Sequence, residues 1–176
     1  ALLTWLNNGQ KDLFLTGDEV ASDLAFNAGT NGMAFVESVM WLNVISDILR
    51  SYIDNQAAPL VLVAGGNPVF LNINTWIAYG ACQQLNTFDA VTTRAGAARL
   101  AQFGDPNGNP GAYGFSAATL NVHNTTNRVI SLPYDLMSVY TDPNAKTAAP
   151  LPARARVLGD VLDYFGVAAS QPVASP

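Results

Sequence analysis

The chain has 176 residues, of which 49% are hydrophobic, enough to fill the core of one ordinary domain. It carries 8 Lys and Arg against 13 Asp and Glu, a formal net charge of -5. Because no basic cluster is present to neutralise phosphates, we expect no nucleic-acid partner. Apolar runs such as 60–64 are far shorter than the roughly 20 residues of a membrane-spanning helix, so we expect no membrane insertion.

The first half of the chain contains patterns typical of alternating strands and helices. Residues 1–6 resemble the end of an amphipathic helix, and the apolar run 13–16, closed by Gly17, predicts a buried strand. A second helix is expected to begin at Asp18. Residues 33–52 are apolar at helical spacing and predict one long buried helix.

The second half is predicted to contain further strands and a closing helix. Strands are expected at 60–63, 112–122 and 128–132, the last two separated by a turn at 124–127. A proline-rich linker at 143–152 leads to a helix over 153–165 that Gly166 terminates. We assign residues 1–167 to one domain and residues 168–176 to a linker-like tail.

Three segments, 5–19, 88–91 and 128–136 with the closing helix 154–166, together resemble the class I glutamine-amidotransferase-like (flavodoxin-like) domains of large exported bacterial proteins. The resemblance implies an α/β fold with three layers, a mostly parallel sheet flanked by helices and incomplete at its amino-terminal side. Another polypeptide would then complete the sheet, either the amino-terminal part of the same precursor after proteolytic cleavage or a neighbouring subunit. The low charged content of 12% also favours an extracellular or cell-surface location.

The catalytic residues of that family are missing at the matching positions. The turn after the first strand, Thr16-Gly17-Asp18-Glu19, has neither cysteine nor serine at its apex, and Leu132-Pro133-Tyr134-Asp135 has an acid but no histidine. The resemblance therefore implies no covalent catalysis of the family's kind.

Three acids, Asp18, Glu19 and Asp135, are predicted at the carboxyl ends of strands, where open α/β sheets bind ligands. They are the candidate ligand-binding residues. The competing interpretation is local: acids at a helix start stabilise its dipole, and Asp135 caps the segment after Pro133.

A second candidate site is a metal loop at Asp105, Asn107 and Asn109, whose oxygens alternate as in calcium loops. The match fails at Pro110 and Ser116, which replace the glycine and the glutamate of that motif, so calcium is the sole cofactor considered and a plain turn is the competing interpretation.

Cys82 and His123 are the only thiol and imidazole in the chain. As a nucleophile and its base they would have to lie within hydrogen-bond reach. We instead interpret Cys82 as a buried structural thiol and His123 as a surface turn residue.

The leading functional hypothesis is a non-catalytic structural or protein-interaction module of a larger exported bacterial protein. The alternative is a hydrolase or carbohydrate-binding domain that uses the acidic crevice of Asp18, Glu19 and Asp135. Three carboxylates gathered around an ion would favour the alternative, and carboxylates that lie apart would favour the module.

Overall fold

The structure is a computed structural model that describes residues 2–78, 88–105, 113–141 and 152–167. Its strands are β1 (Asp12–Thr16), β2 (Leu42–Ser46), β3 (Leu60–Val63), β4 (Thr75–Ala78), β5 (Ala90–Thr93), β6 (Ala98–Gly104), β7 (Ser116–His123), β8 (Asn127–Leu132) and β9 (Val139–Thr141). Its α-helices are α1 (Leu2–Asn7), α2 (Val20–Ser22), α3 (Gly29–Phe35) and α4 (Ala153–Phe165). Asp23–Asn27 and Val36–Met40 are π-helical, and Leu49–Tyr52 and Leu136–Ser138 are 3₁₀ turns.

Seven strands form one mixed sheet in the order β1-β8-β7-β6-β3-β4-β9, and β2 and β5 form a separate antiparallel pair. Within the large sheet β1 pairs with β8 in parallel, and the other neighbours pair antiparallel. The prediction of a three-layer α/β fold with a mostly parallel sheet is therefore wrong. The described chain is mostly an antiparallel sheet with few helices.

Short connections explain this difference. Parallel neighbours need a crossover of about a dozen residues or more, whereas antiparallel neighbours need only a tight turn. Between β7 and β8 the chain reverses at once, with Asn124 and Thr125 at positive φ (50° and 63°), the backbone conformation that tight hairpin turns favour. The sequence predicted β1, β3 and β8 and a strand that overlaps β7, but it did not predict the other five strands of the described chain. Its apolar runs also contain no information on pairing direction.

The single helix predicted over 33–52 is also wrong. The helical segment ends at Met40, and residues 42–46 form β2 instead. Trp41 between them adopts a left-handed conformation (φ 59°, ψ 48°), which ends the helix, and the residues that follow pair with β5. The apolar residues of this segment have helical spacing in the sequence, but they belong to a helix followed by a strand.

Other elements follow the prediction closely. β1, β3 and β8 lie within one residue of the predicted strands, and α4 spans the predicted closing helix. Gly166 terminates α4 in the left-handed conformation (φ 75°), as its position after the last apolar turn indicated.

Two apolar clusters occupy opposite faces of the parallel pair. Ile130 of β8 belongs to the larger cluster, with Trp76 and Tyr134, whereas its neighbour Val129 belongs to the smaller one, with Leu6. Successive strand residues point to opposite faces, so β8 is covered on both sides. No helix among the described residues is long and apolar enough to cross a membrane.

Candidate functional site

The carboxyl end of β1 forms a sharp strand-to-helix turn. Gly17 donates its backbone N–H to the carbonyl of Tyr134 at 3.0 Å, which fixes this turn against the segment that follows β8. Glu19 then adopts a left-handed conformation (φ 59°), and α2 begins at Val20. The turn lies where the sequence predicted it, although the helix begins two residues later than Asp18.

Two of the three predicted ligand-binding acids meet at this turn. The backbone N–H of Asp135 donates to Oδ1 of Asp18 at 3.0 Å, and Oδ1 of Asp135 accepts the backbone N–H of Met137 at 2.7 Å. Burial raises the pKa of Asp18, the hydrogen bond from Asp135 lowers it, and the charges of Asp135 and Glu19 raise it further. Each of these two carboxylates thus stabilises a local turn.

Glu19 is half-buried beside them, and the contacts seen for it involve its backbone. Its carbonyl accepts hydrogen bonds from the Ser22 hydroxyl at 3.1 Å and from the Asp23 N–H at 2.8 Å. The structure therefore brings Asp18 and Asp135 into contact and places Glu19 next to Asp18 in the chain. Asp135 caps the segment after Pro133, as the local interpretation expected, whereas Asp18 accepts the N–H of Asp135 and does not cap α2.

A fourth acid, Asp89, lies at the same turn and was missed as a site residue. It is fully buried, and its Oδ2 accepts the backbone N–H groups of Ala21 at 2.8 Å and Ser22 at 3.3 Å, while its Oδ1 has no partner among the described residues. Burial raises the pKa of Asp89 to about 6, despite hydrogen bonds from Ser22 and Ala21 that lower it. An acid inside the apolar run Phe88-Asp89-Ala90-Val91 was the available signal, because an acid is rarely buried without a partner.

Among the described residues, no group of three or more His, Cys, Asp or Glu side chains could hold a metal ion. The proposed calcium loop is described only at Asp105, which makes an interaction of its own. Asn107 and Asn109 lie outside the described residues, so the calcium site stays a prediction.

Cys82, the remaining candidate nucleophile, also lies outside the described residues. His123 ends β7, where Nδ1 is 3.0 Å from the carbonyl of Ser38 and Nε2 is 3.3 Å from Oδ1 of Asn7. The imidazole therefore links β7 to two helical segments, and His123, predicted as a surface turn residue, is a half-buried residue at the end of a strand.

No family model, curated protein or solved structure matches this chain. The resemblance to glutamine-amidotransferase-like domains accordingly stays a prediction, and functional proposals depend on the geometry of the chain itself.

Proposed function

We propose that the chain is a non-catalytic protein-interaction module of a larger exported bacterial protein, and that it binds another polypeptide along β1. The observation that carries this proposal is the position of β1 at one edge of the large sheet. An edge strand offers a row of backbone N–H and C=O groups to an added strand.

The edge is continuous. β1 pairs with β8 over its whole length, from Asp12 opposite Arg128 to Thr16 opposite Leu132, and no other described strand pairs with it. All five residues of β1 are half-buried. Parallel strands normally lie inside a sheet with both faces covered, so an uncovered parallel edge favours completion by a further strand.

Apolar side chains next to this strand add to the binding surface. Leu2, Leu3 and Trp5 of α1 are between 41% and 44% exposed, while Leu6 of the same helix is buried in the smaller cluster. Leu13 of β1 packs against that cluster as well. Large apolar side chains exposed together favour contact with another protein.

The acidic turn supports a non-catalytic module better than a hydrolase. Asp18 and Asp135 each accept a backbone N–H, and Asp89 is buried beneath the start of α2. Carboxylates that act as acid and base need access to a substrate. The carboxylates of Asp18 and Asp135 instead accept backbone N–H groups of the turns in which they lie.

Size-exclusion chromatography with light scattering tests the proposal on the whole 176-residue chain. Without its partner, the purified chain should associate through β1 as its concentration rises, burying on the order of 1,000 Å² per contact. Thr16→Lys should weaken this association, because lysine on an edge strand opposes strand addition. Met137→Lys, at an exposed position in the 3₁₀ turn after β8, is the control. A stable monomer at every concentration would refute the proposal.

A further inference from the structure

An open groove of about 500 Å³ lies on the face of the molecule where the helical segment ends and β7 turns into β8. Its walls come from Trp41, the β5–β6 turn at Gly96, and the end of β7 from Asn121 to the following turn at Thr125. This volume lies within the roughly 300–1,000 Å³ of small-molecule sites. The groove is separate from the acidic turn and from the β1 edge, since it shares no lining residue with either.

Trp41 is held in the groove at an energetic cost. Trp41 lies at φ 59° and ψ 48°, and a bulky residue is rare in this left-handed region because its side chain crowds the backbone there. The indole Nε1 donates to the carbonyl of Ala95 at 2.8 Å, and the Trp41 carbonyl accepts the Arg94 N–H at 3.0 Å. Because the one polar atom of the ring is occupied, the half-buried ring offers mainly carbon to the groove.

A glycine forms the turn beside the ring. Gly96 lies at φ 103°, a conformation that residues with a side chain rarely adopt, and a Cβ there would come 3.9 Å from the indole nitrogen, an ordinary contact distance. The backbone conformation of the turn, and not a lack of space, therefore favours glycine at this position.

Polar side chains along the other wall are fixed by the protein itself. Asn121 donates its amide N–H to the Val39 carbonyl at 2.8 Å, and Asn124 donates to Oδ1 of Asn7 at 2.8 Å. Thr125 uses its hydroxyl proton on the Asn124 carbonyl at 2.6 Å, which leaves the hydroxyl oxygen as an acceptor. Groups held in this way lose little freedom when a ligand binds.

None of the described lining residues is Asp, Glu, Lys or Arg. Arg94 lies close by, but it forms an ion pair with Glu37 at 2.8 Å and is not part of the wall. A charged ligand would therefore meet no side chain of constant opposite charge. The groove combines an apolar ring with amide and hydroxyl groups.

We propose that this groove binds a neutral oligosaccharide, with one sugar ring packed on the indole of Trp41. The C–H face of a sugar ring packs on an aromatic face, and its hydroxyls exchange hydrogen bonds with amides and hydroxyls. An open groove of about 500 Å³ has room for more than one ring, so linked sugars suit it better than one free sugar. The chemical class follows from the ring, the fixed polar wall and the absence of charged lining residues in the described chain.

The test uses NMR on the isotopically labelled whole chain, titrated with neutral glucan, xylan, mannan and chitin oligosaccharides up to about 10 mM, a range that detects weak binding. At least one should shift the Trp41 indole resonance together with the backbone resonances of Asn121 and Thr125. Trp41→Gly removes the ring but suits the left-handed backbone, so the variant should fold and bind about tenfold or more weakly.

Two further variants distinguish binding in the groove from nonspecific binding elsewhere on the surface. Val122→Lys places a long side chain at an exposed lining position and should also weaken binding. Tyr140→Ala removes an exposed aromatic side chain of β9, which does not line the groove, and should bind as the original chain does. The proposal is overturned if none of the neutral oligosaccharides shifts the resonances of the groove residues, or if Trp41→Gly binds unchanged.

Discussion

The two ends of the parallel pair β1–β8 hold acidic side chains by different means. At the amino end, Arg128 of β8 donates two hydrogen bonds to the carboxylate of Asp12, at 2.7 and 2.6 Å. At the carboxyl end, Asp18 and Asp89 accept backbone N–H groups instead. The acid at the amino end is thus paired with a cation, whereas the acids at the carboxyl end are held by backbone N–H groups.

This difference has electrostatic consequences. The planar guanidinium of Arg128 pairs with Asp12 and also donates to the carbonyls of Tyr164 and Phe165 at the carboxyl end of α4, where a cation is favoured by the helix dipole. Asp89 has only N–H partners for one oxygen, so burial dominates and raises its pKa to about 6. The amino end should therefore provide stability, and the carboxyl end should make stability depend on pH.

The largest expected effect comes from Arg128→Met, which removes the partner of Asp12 and the two contacts to α4. Both charged side chains are about three-quarters buried, at 25% and 22% exposed, so we expect a loss of about 3–4 kcal/mol in the free energy of unfolding. Arg128→Lys, which keeps the charge but not the two-pronged geometry, should lose about half of this. Urea unfolding at pH 7 measures the free energy of unfolding of both variants. Equal stability of Arg128→Met and Arg128→Lys would contradict a role for the charge.

Asp89→Asn tests the carboxyl end. Because the folded chain holds the Asp89 proton more tightly than the unfolded chain, stability should fall as the pH rises from about 4 to about 6 and stay low above that. Relative to Asp89→Asn, the original chain should lose about 2 kcal/mol across this window. Urea unfolding at closely spaced pH values gives the comparison, with Asp163→Asn, an exposed acid of α4, as the control. Parallel profiles for the original chain and Asp89→Asn would show that Asp89 does not titrate in this range.

Asp135→Ala gives the smallest effect. It removes the acceptor for the Met137 N–H at the start of the 3₁₀ turn, which should cost about 1 kcal/mol, as for other lost caps. Asp135→Asn keeps an acceptor oxygen and should be close to the original chain. Chemical denaturation of the two variants distinguishes capping by a hydrogen bond from an effect of the charge. An equal loss in the free energy of unfolding in both variants would indicate that the charge of Asp135 is what matters.

The sequence predicted individual elements better than their arrangement. β1, β3 and α4 follow from local patterns of apolar residues, glycine and proline, which act over a few neighbouring positions. Pairing direction depends on connections and partners, so the mostly antiparallel sheet could not be predicted from these patterns. Resemblance to a parallel family then favoured the wrong arrangement.

The candidate sites show the same limit. The turn at Gly17 was visible in the sequence, and so was the capping role of Asp135. The groove was not visible, because Trp41 and Ala95 are 54 positions apart and meet only in the folded chain. Trp41 lies within the segment 33–52 that was predicted as one helix, and nothing in its local sequence indicated a left-handed backbone.

The most direct test of the central claim, that β1 is an open edge for another polypeptide, is amide hydrogen exchange of the purified chain at low and high concentration. β8 lies between β1 and β7, so its amides should be protected at both concentrations. In β1, the amides that face away from β8 should exchange rapidly at low concentration and become protected as the chain associates. Protection of every β1 amide at low concentration, in a chain shown to be monomeric, would contradict the account.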